Sequence, residues 1–407
     1  MSTECPLPLS GIRVVDLTHD WAGPHATRML ADFGAEVIKV ENSRRMDSMR
    51  GAFKENQAYN HHPRWFQINR NKLSITLNLR NRGDVAVFKR LVATSDVVVE
   101  SSRVGVMERF GLGYYVLREV RPDIIMVSMS GFGHTGPESS YGGYGGALEP
   151  ISGIQSLTGY EKFEKPVRIR EVDVTNGLMG ACAIMTALVD RQRTGRGQFI
   201  DLSQVEAATI AVAGEHLLEY AMNGTQTLPV GNRNPRCSPQ GCYRCSGHDK
   251  WLTLVVRTEE EWQCLCEIIG HTDLIGDPRF ATPHARAQHH DEVDCLIEQW
   301  TLAQSHVEAM RLFQQAGLRA GAVLNVSDLV ADPHLQERNY FQCLEGDTTQ
   351  RFPGFPFKLS GTTPKVKKKG PRLGEHNKYV LCELLGVPLA DVTPLTEDEI
   401  GTAYDIE

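Results

Sequence analysis

Two apolar runs flanking a helix-period segment lie near the start of the chain, and they leave few folds open to it. Ile12-Arg13-Val14-Val15-Asp16-Leu17 has the character of a strand buried on both faces, with Val14 and Val15 side by side among apolar neighbours. Pro24 then opens a helix at a position where proline is tolerated. Ala26, Met29, Leu30 and Phe33 recur at helical spacing, and Gly34 ends the element. Val37-Ile38-Lys39-Val40 is a second strand. A β-α-β unit of this kind predicts a parallel sheet with right-handed crossovers.

The alternation continues. Ser74 to Leu79, Asp96 to Glu100 and Asp123 to Met129 are further strands. Between them lie a helix face of Val85, Phe88, Leu91 and Val92 and a short helix with Val116, Leu117 and Val120. The polar stretch from Met46 to Gln67 is expected to be a surface excursion. The prediction is an open α/β sheet, with ligands beyond the carboxyl ends of its strands. Three loops qualify there: Thr18 to Gly23, Glu100 to Gly105, and the glycine-rich Ser130 to Pro137. The first lacks the G-x-G-x-x-G pattern, which disfavours a dinucleotide site of the usual kind.

Further on, Asp173 sits where an irregular segment gives way to a helix expected over Gly177 to Val189. Gly177, Gly180, Ala181 and Ala183 leave one side of that helix with little bulk, so a ligand or another backbone can approach closely. A carboxylate at this place is either a helix-terminal acid or a reactive group beside a ligand channel. A glycine turn from Thr194, a strand from Phe199 to Ser203 and a long helix carrying Val205, Ala208, Val212, His216 and Leu217 follow. Asn223 to Gly247 breaks the pattern as a linker and loop. A smaller α+β unit is expected next, with strands at Trp251 to Val256 and Ala320 to Leu324. Helices over Glu259 to Ile269, His284 to Leu302 and Val307 to Ala316 lie between them. The remainder is loop-rich. Phe352 to Phe357 is expected to pack back on the first domain, and Lys365 to Lys369 to be a solvated basic turn.

At 407 residues the chain has room for two domains and a substantial core. A net charge of -7 argues against a general nucleic-acid binder. No unbroken apolar run reaches the roughly 20 residues of a membrane span, and Met1 to Leu9 lacks the features of a secretory leader. Ten scattered cysteines suit reduced thiols in the cytoplasm. Cys237, Cys242, Cys245 and His248 have a spacing that suits zinc. Only Cys242 and Cys245 form a knuckle, however, which favours a loop that carries thiols and no metal.

The ordered landmarks resemble the class III coenzyme A transferases, the family of formyl-CoA and carnitine-CoA transferases. They are Gly11 to Gly23 with Ala22-Gly23-Pro24, MLADFGAEVIKVE from Met29 to Glu41, and Asn69-Arg70-Asn71-Lys72. Gly131-Phe132-Gly133 with Gly136-Pro137 follows, then the Asp173 helix, GRGQFIDLS from Gly195 to Ser203, and Leu373-Gly374-Glu375-His376. The resemblance implies a Rossmann-like large domain of open parallel sheet with a smaller α+β domain, in an interlocked homodimer. The corresponding bounds are 1–203 for the first part of the large, CoA-binding domain, and 204–240 for a linker helix and loop. The small domain is then 241–324, and 325–407 is a segment returning to the large domain.

The resemblance also implies that Asp173 is a nucleophile that opens an acyl-CoA thioester as an aspartyl anhydride and then carries CoA as an aspartyl thioester. CoA and a small carboxylic acid are then the substrates, and no cofactor is permanently bound. Succinyl-CoA is the expected donor. By position, Asp20 and Trp21 border the pantetheine and active site, Leu77 and Arg80 lie near the adenine and phosphates, and Arg109 with Phe110 lies at the nucleotide. Gly131 and Phe132 line the pantetheine channel. The chain departs from the family at Ser101-Ser102, where an asparagine and an aromatic are common, and it lacks the glycine-only lid loop of the formyl-CoA branch. A 2-methylacyl-CoA racemase on the same fold needs a histidine where this chain has Tyr144. The remaining alternatives are a non-catalytic acyl-CoA-binding protein, against which an intact Asp173 speaks, and an interaction module organised by zinc at Cys242 and Cys245.

Overall fold

Burial on both faces of the first strand fixes the layering of the molecule. In a computed structural model describing residues 6–160, 167–234, 236–344, 347–392 and 399–402, Val14 and Val15 are both fully buried, one into each of two apolar cores. The first five residues, part of the expected leader-free start, lie outside the described set. Each fully buried aliphatic side chain of this kind contributes about 1.5–3 kcal/mol. The described chain divides into two units, one of residues 1–155, 168–226 and 339–407, the other of 156–167 and 227–338.

The first unit holds a six-stranded parallel sheet in the order β3-β2-β1-β4-β5-β6. Its strands are β1 (Arg13–Asp16), β2 (Glu36–Glu41), β3 (Leu73–Thr76), β4 (Val97–Glu100), β5 (Ile125–Ser128) and β6 (Phe199–Asp201). Val14 pairs with Val37 on one side and Val97 on the other. The order reverses beside β1, and the switch point places the loops after β1 and β4 next to each other. There the His19 N–H donates to Ser101 Oγ at 3.1 Å.

The helices of this unit are α1 (Ala22–Asp32), α2 (Pro63–Ile68), α3 (Arg82–Ala93), α4 (Val106–Arg109), α5 (Tyr114–Val120), α6 (Gly145–Ile151), α7 (Ile154–Leu157, reaching into the second unit), α8 (Val172–Thr194), α9 (Gln204–Val212) and α10 (Gly214–Asn223). The helix expected to start at Gly177 starts at Val172, so Asp173 lies within its first turn. Packing on α1 explains the small residues. A β-carbon on Gly177 would fall 2.5 Å from His25 Cδ2 and 2.9 Å from the Ala22 carbonyl. Close approach of another backbone is therefore what that face serves.

With 23 residues and a mean hydropathy of 1.5 over its most apolar window, α8 is long and apolar enough by composition to cross a membrane. Polar residues such as Asn176 and Thr186 interrupt the run, so the expectation of no unbroken apolar run of that length stands, and one helix of this kind is only a weak sign of a span. The buried stripe of α8 includes Ala181, Ile184 and Ala187, while Leu178, Met179, Met185 and Val189 are exposed. The expected single helix after β6 is two, broken at Ala213 ahead of Gly214.

The stretch from Met46 to Gln67 is not a surface excursion. Met46, Arg50, Tyr59 and Trp65 are buried, because the C-terminal segment folds over them. Trp65 Nε1 donates to the Pro371 carbonyl at 2.8 Å. Arg50 stacks 3.5 Å from the centre of the Trp65 ring and grips Glu41 with two bonds of 2.7 and 2.8 Å. Phe355 and Phe357 pack on Phe33 at ring distances of 5.1 and 5.9 Å. Lys367 and Lys368 are exposed, and their backbone N–H groups donate to Asn71 Oδ1.

The second unit has a three-stranded antiparallel sheet, β7 (Gln240–Arg244), β8 (Trp251–Val255) and β9 (Arg319–Ala322). Against it pack α11 (Glu259–Ile269), α12 (Pro283–Gln288), α13 (His290–Thr301) and α14 (His306–Gln315) around Trp262, Leu265, Phe280 and Phe313. The one helix expected over 284–302 is interrupted at His289. Cys242 lies on β7, and burial pushes the thiol of Cys245 up to about 11. Among the described residues no group of histidine, cysteine and carboxylate side chains is arranged to hold a metal ion.

Candidate active site

Asp173 belongs to the first turn of α8, where the helix dipole favours a negative side chain. Its carboxylate faces the start of α6, and Gly145 leaves the room for it. A β-carbon there would stand within 2.9 to 3.3 Å of the carboxylate atoms. Both residues line a cavity of about 430 Å³ with Trp21, Arg64, Glu149, Arg168, Arg170 and Val172. None of the described residues hydrogen-bonds the Asp173 side chain, so its oxygens are available to a substrate.

Glu149, 1% exposed near the end of α6, holds the segment that leads into α8. It accepts Arg168 Nε at 3.0 Å and the Ile169 and Arg170 N–H groups at 2.5 and 3.3 Å. Arg170 sits at φ 63°, a left-handed conformation that a non-glycine residue holds at a cost of about 1–3 kcal/mol. The Glu149 contacts offset that cost. Burial raises the pKa of Glu149, but these N–H donors and Arg168 outweigh it, and the net shift is downward.

The nucleophile candidate is tuned the other way. Burial raises the pKa of Asp173 above the ordinary aspartate value, and the charges of Asp20 and Glu149 add to the rise, against a lowering by Arg168.

The loop carrying Asp20 and Trp21 rests on buried charges. Asp16, Lys39, Asp47 and Lys72 are all fully buried. Asp16 accepts Lys72 Nζ at 2.8 Å, Thr27 Oγ1 at 2.7 Å and the Thr18 hydroxyl at 2.6 Å. Lys39 pairs with Asp47 at 3.2 Å and donates to the Thr18 carbonyl. Burial opposes the charge on Asp16, yet the two lysines hold its carboxyl well below the usual range. Asp20 adopts φ 65°, donates its N–H to Asp47 Oδ1 at 3.1 Å and accepts from Ser48 Oγ. Trp21 follows as the N-cap residue just ahead of α1.

Residues 9–377 match the model of CoA-transferase family III. The chain belongs to CoA-transferase family III. It is an enzyme of that class, a CoA-transferase. It is 34% identical over 406 residues to a succinyl-CoA–D-citramalate CoA-transferase of Chloroflexus aurantiacus, covering 98% of both chains. It is also 34% identical over 391 residues to a succinate–glutarate CoA-transferase of Agrobacterium fabrum, covering 93% of this chain and 96% of that one. A solved CaiB/BaiF family protein from Brucella suis superposes with a TM-score of 0.85 at 30% identity, over 93% of this chain and 100% of that one.

In this family III CoA-transferase the residues expected to meet CoA are dispersed. Trp21 lies in the Asp173 cavity, and the charge of Asp20 reaches Asp173. Gly131 packs on Leu148 of α6, and Phe132 joins the small apolar cluster with Leu148 and Val172 behind the cavity wall. Leu77 lines a separate cavity of about 290 Å³ with Asn42, Thr76, Asn78 and Asn377. Arg80 and Arg109 are exposed, and Phe110 packs against the apolar core under α3 and α5. The sequence reading missed Gly145, Glu149, Arg64, Arg168 and Arg170. Arg168 and Arg170 stand just ahead of Asp173, a usable signal. Arg64 and Glu149 carry none until the chain is folded.

Proposed function

We propose that this CoA-transferase moves CoA from an acyl-CoA donor to a carboxylic acid through covalent intermediates on Asp173. The observation that carries the reading is the partly buried Asp173 carboxylate, open to the cavity and unengaged by any described donor. One oxygen attacks the donor thioester carbonyl. The C–S bond breaks, and CoA leaves as thiolate, giving an aspartyl anhydride. The thiolate then attacks Cγ of Asp173 and releases the donor acid as its carboxylate, leaving an aspartyl-CoA thioester. The acceptor carboxylate attacks that Cγ and expels the thiolate. The thiolate attacks the acceptor carbonyl of the new anhydride and frees Asp173. No proton moves, so no general base is required. Each addition forms an oxyanion, and a well-placed N–H donor contributes about 3 kcal/mol to its stabilisation.

The named activities of the relatives support succinyl-CoA as donor. Asp20 and Trp21 border the reacting end of CoA. Gly131 and Phe132 line the pantetheine path, and Leu77, Arg80, Arg109 and Phe110 serve the nucleotide end. The position of Leu77 on a second cavity supports its part in the last of these. The enzyme works as an interlocked homodimer in the cytoplasm, without a permanent cofactor, nucleic acid or membrane. Exposed Leu178, Met179 and Met185 of α8 and Leu217, Leu218 and Met222 of α10 support a second copy. All described cysteines are free, which suits a reducing compartment.

Quenching the enzyme during turnover and mapping its peptides by mass tests the mechanism. Acyl or CoA mass on the peptide carrying Asp173, released by hydroxylamine, is expected. Turnover with no added mass on that peptide would end the proposal, as would an active Asp173→Ala enzyme.

A further inference from the structure

The cavity beside Asp173 holds three arginines, and only one of them is engaged. Arg168 is bound to Glu149 and is the arginine that acts on the charge of Asp173. Arg64 and Arg170 line the same cavity and are exposed, and no described residue forms an ion pair or side-chain hydrogen bond with either. Glu149 bonds Arg168 Nε and the Ile169 and Arg170 N–H groups, and among the described residues no bond links it to the guanidinium of Arg64 or Arg170.

Both free guanidinium groups spring from fixed backbone. Arg64 is in the first turn of α2, between Pro63 and the fully buried Trp65, whose indole is bonded to the Pro371 carbonyl. Arg170 is held at its left-handed φ by Glu149. The apolar side chains lining the cavity are those of Trp21 and Val172. A carboxylate on the acyl group would give these two exposed guanidinium groups a partner that a purely hydrocarbon acyl group does not. Arginine forks match a carboxylate, which can accept from both at once.

We propose that Arg64 and Arg170 are specificity-determining residues that bind the distal carboxylate of a dicarboxylic acyl group while its thioester carbon lies at Asp173. The inference rests on the CoA-transfer reading and adds to it the two residues that recognise the free carboxylate of a dicarboxylic donor. A site built for a charged group rejects an analogue that lacks it, so the enzyme prefers a dicarboxylic monothioester over its neutral isostere.

The test compares kcat/KM for succinyl-CoA and butyryl-CoA in the full-length enzyme, with Arg64→Met, Arg170→Met and the two lysine replacements. Each methionine variant is expected to lower the succinyl-to-butyryl preference about tenfold or more, with lysine retaining part of it. An unchanged ratio overturns the inference, and so does a wild-type preference for butyryl-CoA. Equal losses on both thioesters, with matching weakening of free CoA binding, also overturn it, because the arginines would then serve the phosphates of CoA. Labelling of Asp173 separates the two levels. A labelled Asp173 with an unchanged ratio sinks only the acid-class inference. Absence of label and of transfer from either thioester sinks the CoA-transfer reading beneath it.

Discussion

A β-carbon added to Gly145 would stand 2.9 Å from Oδ2 of Asp173. The start of α6 is thus shaped around the carboxylate of α8, and the missing side chain leaves that carboxylate its room beside the cavity.

Gly145→Ala should therefore reduce turnover without unfolding the enzyme. Gly145 has no left-handed φ, so alanine fits the backbone, and the carboxylate is what must turn away. Displacing a nucleophile by a fraction of an ångström is expected to lower kcat about 10- to 100-fold. Steady-state kinetics and a thermal melt check this, and a full-speed variant would contradict the site geometry.

The acid limb of the pH profile should follow the neighbours of Asp173. The proposed mechanism needs the ionised form, and burial with Asp20 holds its pKa above the ordinary value. Asp20→Asn removes a negative neighbour, favours the carboxylate and moves the limb to lower pH. Arg168→Gln removes the attracting charge and moves the limb to higher pH. The pH dependence of kcat/KM measures both directions.

Glu149→Ala should free residues 168–170 from α6. Losing the acceptor of Ile169 and Arg170 leaves those N–H groups unsatisfied and is expected to cost about 1–3 kcal/mol. Glu149→Gln keeps an acceptor oxygen and should lose less. Chemical denaturation reads the stability, and kcat should fall in the same order, since the segment sets the entry of α8.

Lys72→Met should be among the most damaging changes in the first unit. It leaves Asp16 buried with one lysine, 3.9 Å away, in place of two. Breaking a buried pair on one side is expected to cost about 3–5 kcal/mol. A denaturation midpoint close to wild type would show that Lys39 alone balances Asp16.

Local signals carried much of the architecture. Paired valines and helix-period residues mark β1, α1 and β2 within a short window, and the same kind of signal placed β4, β5 and most of the smaller unit. Asp173 stood out because small residues and a helix start surround it. At Met46 to Gln67 the window failed because a distant partner had decided the outcome. Met46 to Gln67 is polar in sequence, yet Trp65 is buried by a carbonyl 306 residues away. The two helices after β6 part at Ala213, a break that an unbroken apolar pattern conceals.

What the amino-acid order determined by itself is the alternation of strands and helices and the place of one carboxylate at the head of a small-residue helix. Periodicity and backbone sterics act between near neighbours, so they are written locally. What only the tertiary structure decided is the company that carboxylate keeps. Glu149 reaches the Arg168 side chain 19 positions on, and Arg64 arrives from another element entirely. Electrostatics and burial act through space, and the sheet order that brings those groups together is a property of the folded chain alone.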